Sequence, residues 1–481
     1  MSARSSKVIL FAAIGFVGLL IAAGVGLYWL VGATVDRARI ETAASQALGM
    51  EFSIGADPGL GFFPGLLVTL EDIHIRNRGA QVASAKQASI RIELLPLFKG
   101  EVRIGKIELS KARISIERDR EGHFNFARPQ AAQATLPAVD WPQISLVDVA
   151  LVYVDKHSGD AVEAGSCRME ARRVRLPGGM RSDFMKLLSF GAELSCAELR
   201  MDGLTVSDLT FTVDAKQGVL DLKPVTTRVF GARGSGNIRA DFSGATPLFQ
   251  VNYAVVQFPI EAFFRTLSQR EVAAGRMDFS AALSMQGSTV KALRQSLKGQ
   301  LSLRGKDLVL RGRDLDQVFA RFEASQNFNL VDVGAVFFAG PLGLLVTKGF
   351  NFAGVLQESA GNTEIRMLVS EWKVEHGVAY AQDVAMATKE NRVALRGGLD
   401  LVNNRFDGVA VALVDAKGCV SVRQEIRGTF KEPVIDKPNP ITTLTGPALR
   451  LLKKGRQLFS GAQCNVFYAG SVAAPSRAGQ R

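Results

Sequence analysis

Residues 68–75 read Val-Thr-Leu-Glu-Asp-Ile-His-Ile. Val68 and Leu70, then Ile73 and Ile75, alternate with polar neighbours, the period of two that marks a strand with one buried face. Between the two pairs the apolar phase slips by one residue, near Glu71-Asp72. In a strand such a slip means a bulge or a turn, because otherwise every later side chain would move to the other face. The same period spreads outward to Ile90, Ile92 and Leu94, to Val102 and Ile104, to Ile107 and Leu109, and to Ile114 and Ile116, with a second slip near Gly105-Lys106. It returns over 144–153, at Leu209-Phe211-Val213 and Leu220-Leu222, over 230–242, 300–304, 365–369 and 379–386, and at Val393-Leu395, Leu399-Leu401 and Val409-Val411-Leu413. The expected fold class is mainly β with short helices (α+β): an elongated, mostly antiparallel and groove-like β structure.

Helical spacing is confined to short stretches. Ile40, Ala43, Ala44, Ala47 and Leu48 share one face and Gly49 stops it. Further short helices are expected over 183–190, after Pro259 with Ile260, Phe263, Phe264 and Leu267, at Val290, Leu293 and Leu297, and at Leu315, Val318, Phe319 and Phe322. After Pro447, Ala448, Leu451, Leu452 and Phe459 oppose Arg450, Lys453 and Arg456; such a helix either caps a sheet by its apolar face or binds anionic lipid.

Val8 to Val31 holds no charged side chain. At ~1.5 Å per helical residue this run covers roughly 36 Å, more than the ~30 Å hydrocarbon thickness of a bilayer. Arg4 and Lys7 precede it and no acid does, so the amino terminus is expected in the cytoplasm and the chain from Thr34 onward across the membrane. The competing reading is a cleaved signal peptide, whose apolar core is normally shorter. A second apolar run, 331–346, is interrupted by Gly334, Gly340, Pro341 and Gly343. It reads as a buried helix-turn or as a segment resting in a membrane interface. The expected organisation is a cytoplasmic stub and anchor (1–33), an amino-terminal β region (34–126), a Pro/Ala linker (127–143), a middle β region (144–255) and a carboxy-terminal region (256–481).

With 481 residues, 47% hydrophobic and 22% charged, the chain is globular rather than disordered. Its net charge of +12 points, for an exported chain, to anionic phospholipid or glycolipid surfaces and not to nucleic acid. Basic residues scattered through alternating strands fit a solvated surface equally well. Cys167, Cys196, Cys419 and Cys464 form no CxxC pair, so zinc ligation and thioredoxin chemistry have no support. Pairing by proximity would join Cys167 to Cys196 and Cys419 to Cys464, one of three connectivities that an oxidising exterior permits.

Catalytic signatures are absent from the sequence. His74, His123, His157 and His376 are dispersed, and no GxSxG elbow, P-loop or HExxH occurs. The Gly-rich run 231–236 leads into an alternating strand, so it reads as a turn. Asp119 and Glu121 would serve acid-base chemistry only with another carboxylate across a cleft. No catalytic residue, cofactor or metal site is expected.

The order of these features resembles the AsmA family of envelope proteins. The anchor is followed by Gly49-Met50-Glu51-Phe52-Ser53-Ile54, then by 68–77, a strand ending in a short polar turn. Leu94-Leu95-Pro96-Leu97-Phe98-Lys99-Gly100 is similar to the family's "LLPLxxG" element between two strands, and 114–125, with Arg118-Asp119 and Gly122-His123-Phe124-Asn125, completes the amino-terminal signature. Later, Gly287 with Ser296-Leu297-Lys298-Gly299 and Arg311-Gly312-Arg313-Asp314-Leu315-Asp316 resemble the "G…SLxG" and "GxDLD" steps. Gly340-Pro341, His376-Gly377-Val378, Gly397-Gly398-Leu399-Asp400-Leu401 and 419–470 follow in family order, whereas 144–222 matches poorly and the chain is short for the group.

The resemblance implies a single-pass inner-membrane protein with its bulk in the periplasm, acting without catalysis in outer-membrane biogenesis; long relatives are thought to carry lipid along a β groove. The expected partners are membrane phospholipid or glycolipid and envelope-assembly proteins. Alternating strands leave one apolar face to be covered by helices, another sheet or lipid tails. The candidate groove or core positions are Ile92, Ile104, Ile114, Ile116, Leu301, Leu303, Leu395 and Leu401. Two other functions fit the sequence: a periplasmic scaffold without lipid cargo, and a hydrolase of an envelope polymer.

Overall fold

The structure is a computed structural model that describes residues 36–61, 66–97, 103–126, 135–136, 138–156, 159–177, 179–180, 184–201, 204–265, 273–312, 314–317, 319–320, 361–436, 439–440 and 466–475. The expected span Val8 to Val31, the run 331–346, the helix after Pro447, and Cys464 lie outside these residues. Among the described residues no helix is long and apolar enough to cross a membrane. The chain divides into two units. Unit 1 comprises Met1–Val229, Gly234–Phe249 and Ser288–Val290; unit 2 comprises Phe230–Arg233, Gln250–Gly287 and Lys291–Arg481.

Unit 1 begins with helix α1 (Arg37–Leu48). The Asp36 side chain caps it by accepting from the Ala38 amide at 3.3 Å, and Gly49 ends it in the left-handed conformation. Ile40, Ala44 and Leu48 on the expected face are buried. The strands follow as β1 (Glu51–Ser53), β2 (Leu66–Asn77), β3 (Ala80–Ile92), β4 (Ile104–Arg118), β5 (Val139–Asp155), β6 (Ala161–Leu176), β7 (Ser189–Met201), β8 (Leu204–Lys216) and β9 (Val219–Val229). Successive strands from β2 to β9 pair in chain order, all antiparallel except β4 with β5, which are parallel. Helices α2 (Leu94–Leu97) and α3 (Phe184–Leu187) fill two of the connections.

The phase slip at Asp72 recurs in every strand from β2 to β9. Inward apolar residues run in steps of two broken by a step of three: Leu70 to Ile73, Ala85 to Ala88, Leu109 to Ala112, Leu146 to Val149, Ala164 to Cys167, Cys196 to Leu199, Val206 to Leu209, and Leu222 to Val225, with a further step on β4 (Ile104 to Ile107), β5 (Trp141 to Ile144) and β6 (Ala171 to Val174). The extra residue is left-handed in Asp72 (φ 53), Lys111 (φ 49), Asp148 (φ 56), Ser166 (φ 49) and Asp208 (φ 51). A residue in that conformation absorbs one chain position and returns the following side chains to the same face. Gly105 takes up the second expected slip, since Arg91 pairs with Lys106 and Ile92 with Ile104.

Unit 2 holds α4 (Ile260–Phe264) and α5 (Val290–Gln295) and the antiparallel strands β10 (Ala273–Gln286), β11 (Lys298–Arg311), β12 (Asn362–Glu375), β13 (Val378–Ala387), β14 (Arg392–Asp400), β15 (Arg405–Val414) and β16 (Val420–Gly428). Adjacent residues such as Leu368 and Val369, Ala385 and Met386, and Val393 and Ala394 are fully buried, so both faces of β12 to β14 are covered. Phe467, Tyr468 and Val472 cover one of them, packing on Val369, Ala385, Ala394 and Ala412. Asp383 accepts hydrogen bonds from the Tyr468 hydroxyl and from the amide and hydroxyl of Ser471, while Arg392 donates to the Val472 carbonyl at 2.9 Å. Burial alone would raise the Asp383 pKa, but the bonds from Ser471 and Tyr468 outweigh it and hold the carboxyl below its usual value.

Three local expectations are corrected. Leu94 does not extend the alternation of Ile90 and Ile92 but opens α2, where Pro96 has no amide to give a ladder. Leu401 is not a strand position: Asp400 accepts from the amides of Val402 and Asn403, a turn that ends β14 and leaves Leu401 half-buried. Strand β5 starts inside the stretch expected as a linker, because Trp141 is buried opposite Val174.

The left-handed residues are directly testable at Asp148. Asp148→Val forces a β-branched side chain into this conformation and is expected to cost about 1–2 kcal/mol in urea denaturation. Asp148→Gly should stay within about 1 kcal/mol of the parent. Equal stability of the valine variant would contradict the assignment of the step to this residue.

Candidate functional site

Because each strand of unit 1 makes the same step, its inward residues line up across the sheet. One rung runs Val68, Ile90, Ile107, Ile144, Ala171, Ala192, Val213 and Leu222. The next runs Leu70, Ala88, Leu109, Leu146, Met169, Leu194, Phe211 and Val225. Beyond the step, Ile114, Leu151, Ala164, Leu199 and Val206 form another, and Ile116, Tyr153, Val162, Met201 and Leu204 a fourth. No charged residue interrupts these rungs.

Their exposure changes along the sheet. On β2 to β4 the rungs are closed: Val68, Leu70, Ile73 and Ile75 share one core cluster with Ile40, Ala44 and Leu48 of α1. Near α3, Phe184 and Leu188 join Trp141, Val174 and Leu176 in the same cluster. From β5 to β9 the face opens only in part: Ile144, Val149, Tyr153, Val162, Ala171, Ala192 and Val213 stay buried in the same cluster. Leu146, Leu151, Met169, Leu194, Leu199, Met201, Leu204, Leu209, Phe211 and Leu222 are only half-buried. A row of Leu, Met and Phe side chains left half-wet is an apolar patch of the kind that meets a ligand, a partner or a lipid.

On β6 to β8 the opposite face is polar and paired, whereas on β5 it also carries half-buried Val147, Val152 and Val154. Glu170 accepts from the Ser145 hydroxyl at 2.5 Å and from Gln143 at 2.8 Å; despite burial these bonds hold its pKa below the usual value. Lys106 pairs with Glu108 at 2.7 Å and Arg200 with Glu198 at 2.6 Å. Exposed pairs of this sort contribute little stability, but they keep one face wet while the other stays apolar. At the end of the last rung Arg118 pairs with Asp155 at 2.9 Å, and the Tyr153 hydroxyl donates to the same carboxylate at 3.3 Å. Burial, then the charge of Asp155, pushes the Tyr153 phenol up to about 12.

The candidate positions from the sequence fall mainly in closed core. Ile92, Ile114, Ile116, Leu301, Leu303 and Leu395 are buried, and Ile104 is half-buried against the unit 1 core. The structure brings Ile92, Ile104, Ile114 and Ile116 onto one face; in unit 2, Leu301 and Leu303 pair with Trp372 and Ser370, and Leu395 with Val411. Periodicity placed Leu209, Phe211 and Leu222 on an inward face but did not mark the half-open residues as a groove, because it finds an inward face and not what covers it. The repeated step of three, read in every strand, would have found their register.

Cys167 and Cys196 are joined, with an S–S distance of 2.10 Å, and they are direct register partners on β6 and β7. Cys419 is also disulfide-bonded. Among the described residues no His, Cys, Asp and Glu group could hold a metal ion. Asp119, from the acidic pair, accepts from the His123 amide at 2.7 Å within a turn.

The difference between closed and open positions has an energetic signature. Ile92→Ala is expected to cost about 2–5 kcal/mol in equilibrium denaturation, as for a sealed core site. Leu194→Ala should cost under about 1.5 kcal/mol, since part of its surface already meets water. Equal costs would contradict an open face.

No curated protein matches the chain significantly. The model of the AsmA family matches residues 4–150 and 179–341, well over half of the chain. The gap, 151–178, falls within the stretch where the sequence resemblance is thinnest, and the features from His376 to 470 lie beyond the matched residues. With its mostly antiparallel β fold and this match, the chain belongs to the AsmA family.

Proposed function

We propose that this protein handles lipid in the cell envelope without catalysing a reaction, shielding acyl chains against the half-open apolar face of β5 to β9. The single observation behind the proposal is the set of uninterrupted apolar rungs that are closed on β2 to β4 and carry half-buried Leu, Met and Phe residues among buried ones beyond. Each methylene moved from water onto such a face gains about 0.8 kcal/mol, so a few rungs suffice to hold a chain. Family membership favours an envelope role. The uncharged run Val8 to Val31 would tether the protein in the inner membrane, with the amino terminus cytoplasmic and the bulk periplasmic. Phospholipid or glycolipid is the proposed cargo, and envelope-assembly proteins are the proposed neighbours.

Photocrosslinking separates the two faces. Probes at Leu194, Leu199 and Phe211 should capture phospholipid or glycolipid in cells, and probes at Glu193 and Thr212, their neighbours on the polar face, should not. Capture of protein alone, or equal lipid capture from both faces, would refute the proposal.

A further inference from the structure

The disulfide of unit 1 stands where ordinary strand pairing is interrupted. On β5 and β6 the register shifts between Leu146 and Val149 and again between Val149 and Leu151, on either side of the Val149–Cys167 pair. Ser166 and Asp208, both left-handed, flank the same level on β6 and β8, and β8 shifts against β9 between Ser207 and Thr210. A bulge leaves its extra residue unpaired and locally breaks the ladder. The rung at this level runs Val149, Cys167, Cys196 and Leu209, with the half-open Met169 and Leu194 on one side and Leu199 on the other. The sulfurs therefore lie within the apolar face itself, at its crease.

We infer that the Cys167–Cys196 disulfide is a working part of the lipid-holding face, an inference that rests on the function proposed above. Forming the bond fixes the rungs on both sides of the crease in register; reducing it loosens the crease and releases acyl chains. Formation requires that the two thiols lose two electrons and two protons to a disulfide donor, which becomes a dithiol. In the reverse step a thiolate attacks one sulfur, breaking the bond and releasing the other cysteine as a thiol, and a second thiol then resolves the mixed disulfide. Cys196 is buried at 5% exposure, whereas Cys167 is half-buried, so Cys167 presents the sulfur that a small thiol reaches. The site is thus completed by oxidation after export and is sensitive to reductant thereafter.

The test uses the full chain in detergent micelles loaded with fluorescently labelled phosphatidylethanolamine. Dithiothreitol would also open the disulfide of Cys419, so the decisive variant is Cys167→Val/Cys196→Val, which keeps the rung apolar and removes only this bond. The variant should keep its β circular-dichroism signal and retain roughly fivefold less lipid. Amide exchange at residues 165–168 and 195–198 should rise about tenfold, while that at Ala171 and Ala192 stays unchanged. Equal lipid retention, or exchange that is unchanged or raised uniformly, overturns the inference. If the oxidised parent retains no lipid, the proposed function fails and this inference falls with it; equal retention by parent and variant removes this inference alone.

Discussion

A strand that must bury one face over a dozen or more residues depends on its side chains keeping phase, and in unit 1 that phase is kept by at least one extra residue in each strand from β2 to β9. Without the left-handed residue at Asp72, Lys111, Asp148, Ser166 or Asp208, the apolar residues beyond it would point to the polar face. Because neighbouring strands make the step within about one rung of each other, the errors cancel and the rungs remain continuous. The α1 cap, the closed core on β2 to β4 and the open face on β5 to β9 all presuppose that alignment.

The two units use the same alternation to different ends. In unit 2, small residues at Ala385, Ala394 and Ala412 let the Phe467 and Tyr468 rings lie close against the sheet, and Asp383 and Arg392 pin that segment by hydrogen bonds. Both faces of its central strands are occupied, as in an ordinary core. In unit 1 the polar face carries ion pairs, and the apolar face is sealed over β2 to β4 and at Val149, Tyr153, Val162, Ala192 and Val213 beyond. Leu146, Leu151, Met169, Leu199, Met201, Phe211 and Leu222 remain half-buried at the edge of that core.

Much of this was legible in the residues. The period of two located the strands, the face of Ile40, Ala44 and Leu48 located α1 with its Gly49 stop, and the slip at Glu71-Asp72 announced a bulge. Coverage was not legible, because whether Ile92 or Leu194 meets water depends on helices and segments distant in sequence. The boundaries at Leu94, Val139 and Leu401 were missed for local reasons: a prolyl turn, a buried Trp141, and an Asp400 side chain that accepts from the amides of the following turn. Cysteine proximity suggested the Cys167–Cys196 pair, but only the register shows that the two lie face to face on one rung.

The central claim is that the aligned apolar rungs of unit 1 hold lipid. Its most direct measurement is native mass spectrometry of the full chain extracted from membranes, with bound lipids identified after release. The account predicts phospholipid or glycolipid bound in stoichiometric amount, and its loss when Leu194 and Phe211 are both replaced by Glu in a protein that still folds. Lipid no more abundant than on an unrelated single-pass protein, or undiminished by those charges, would contradict it.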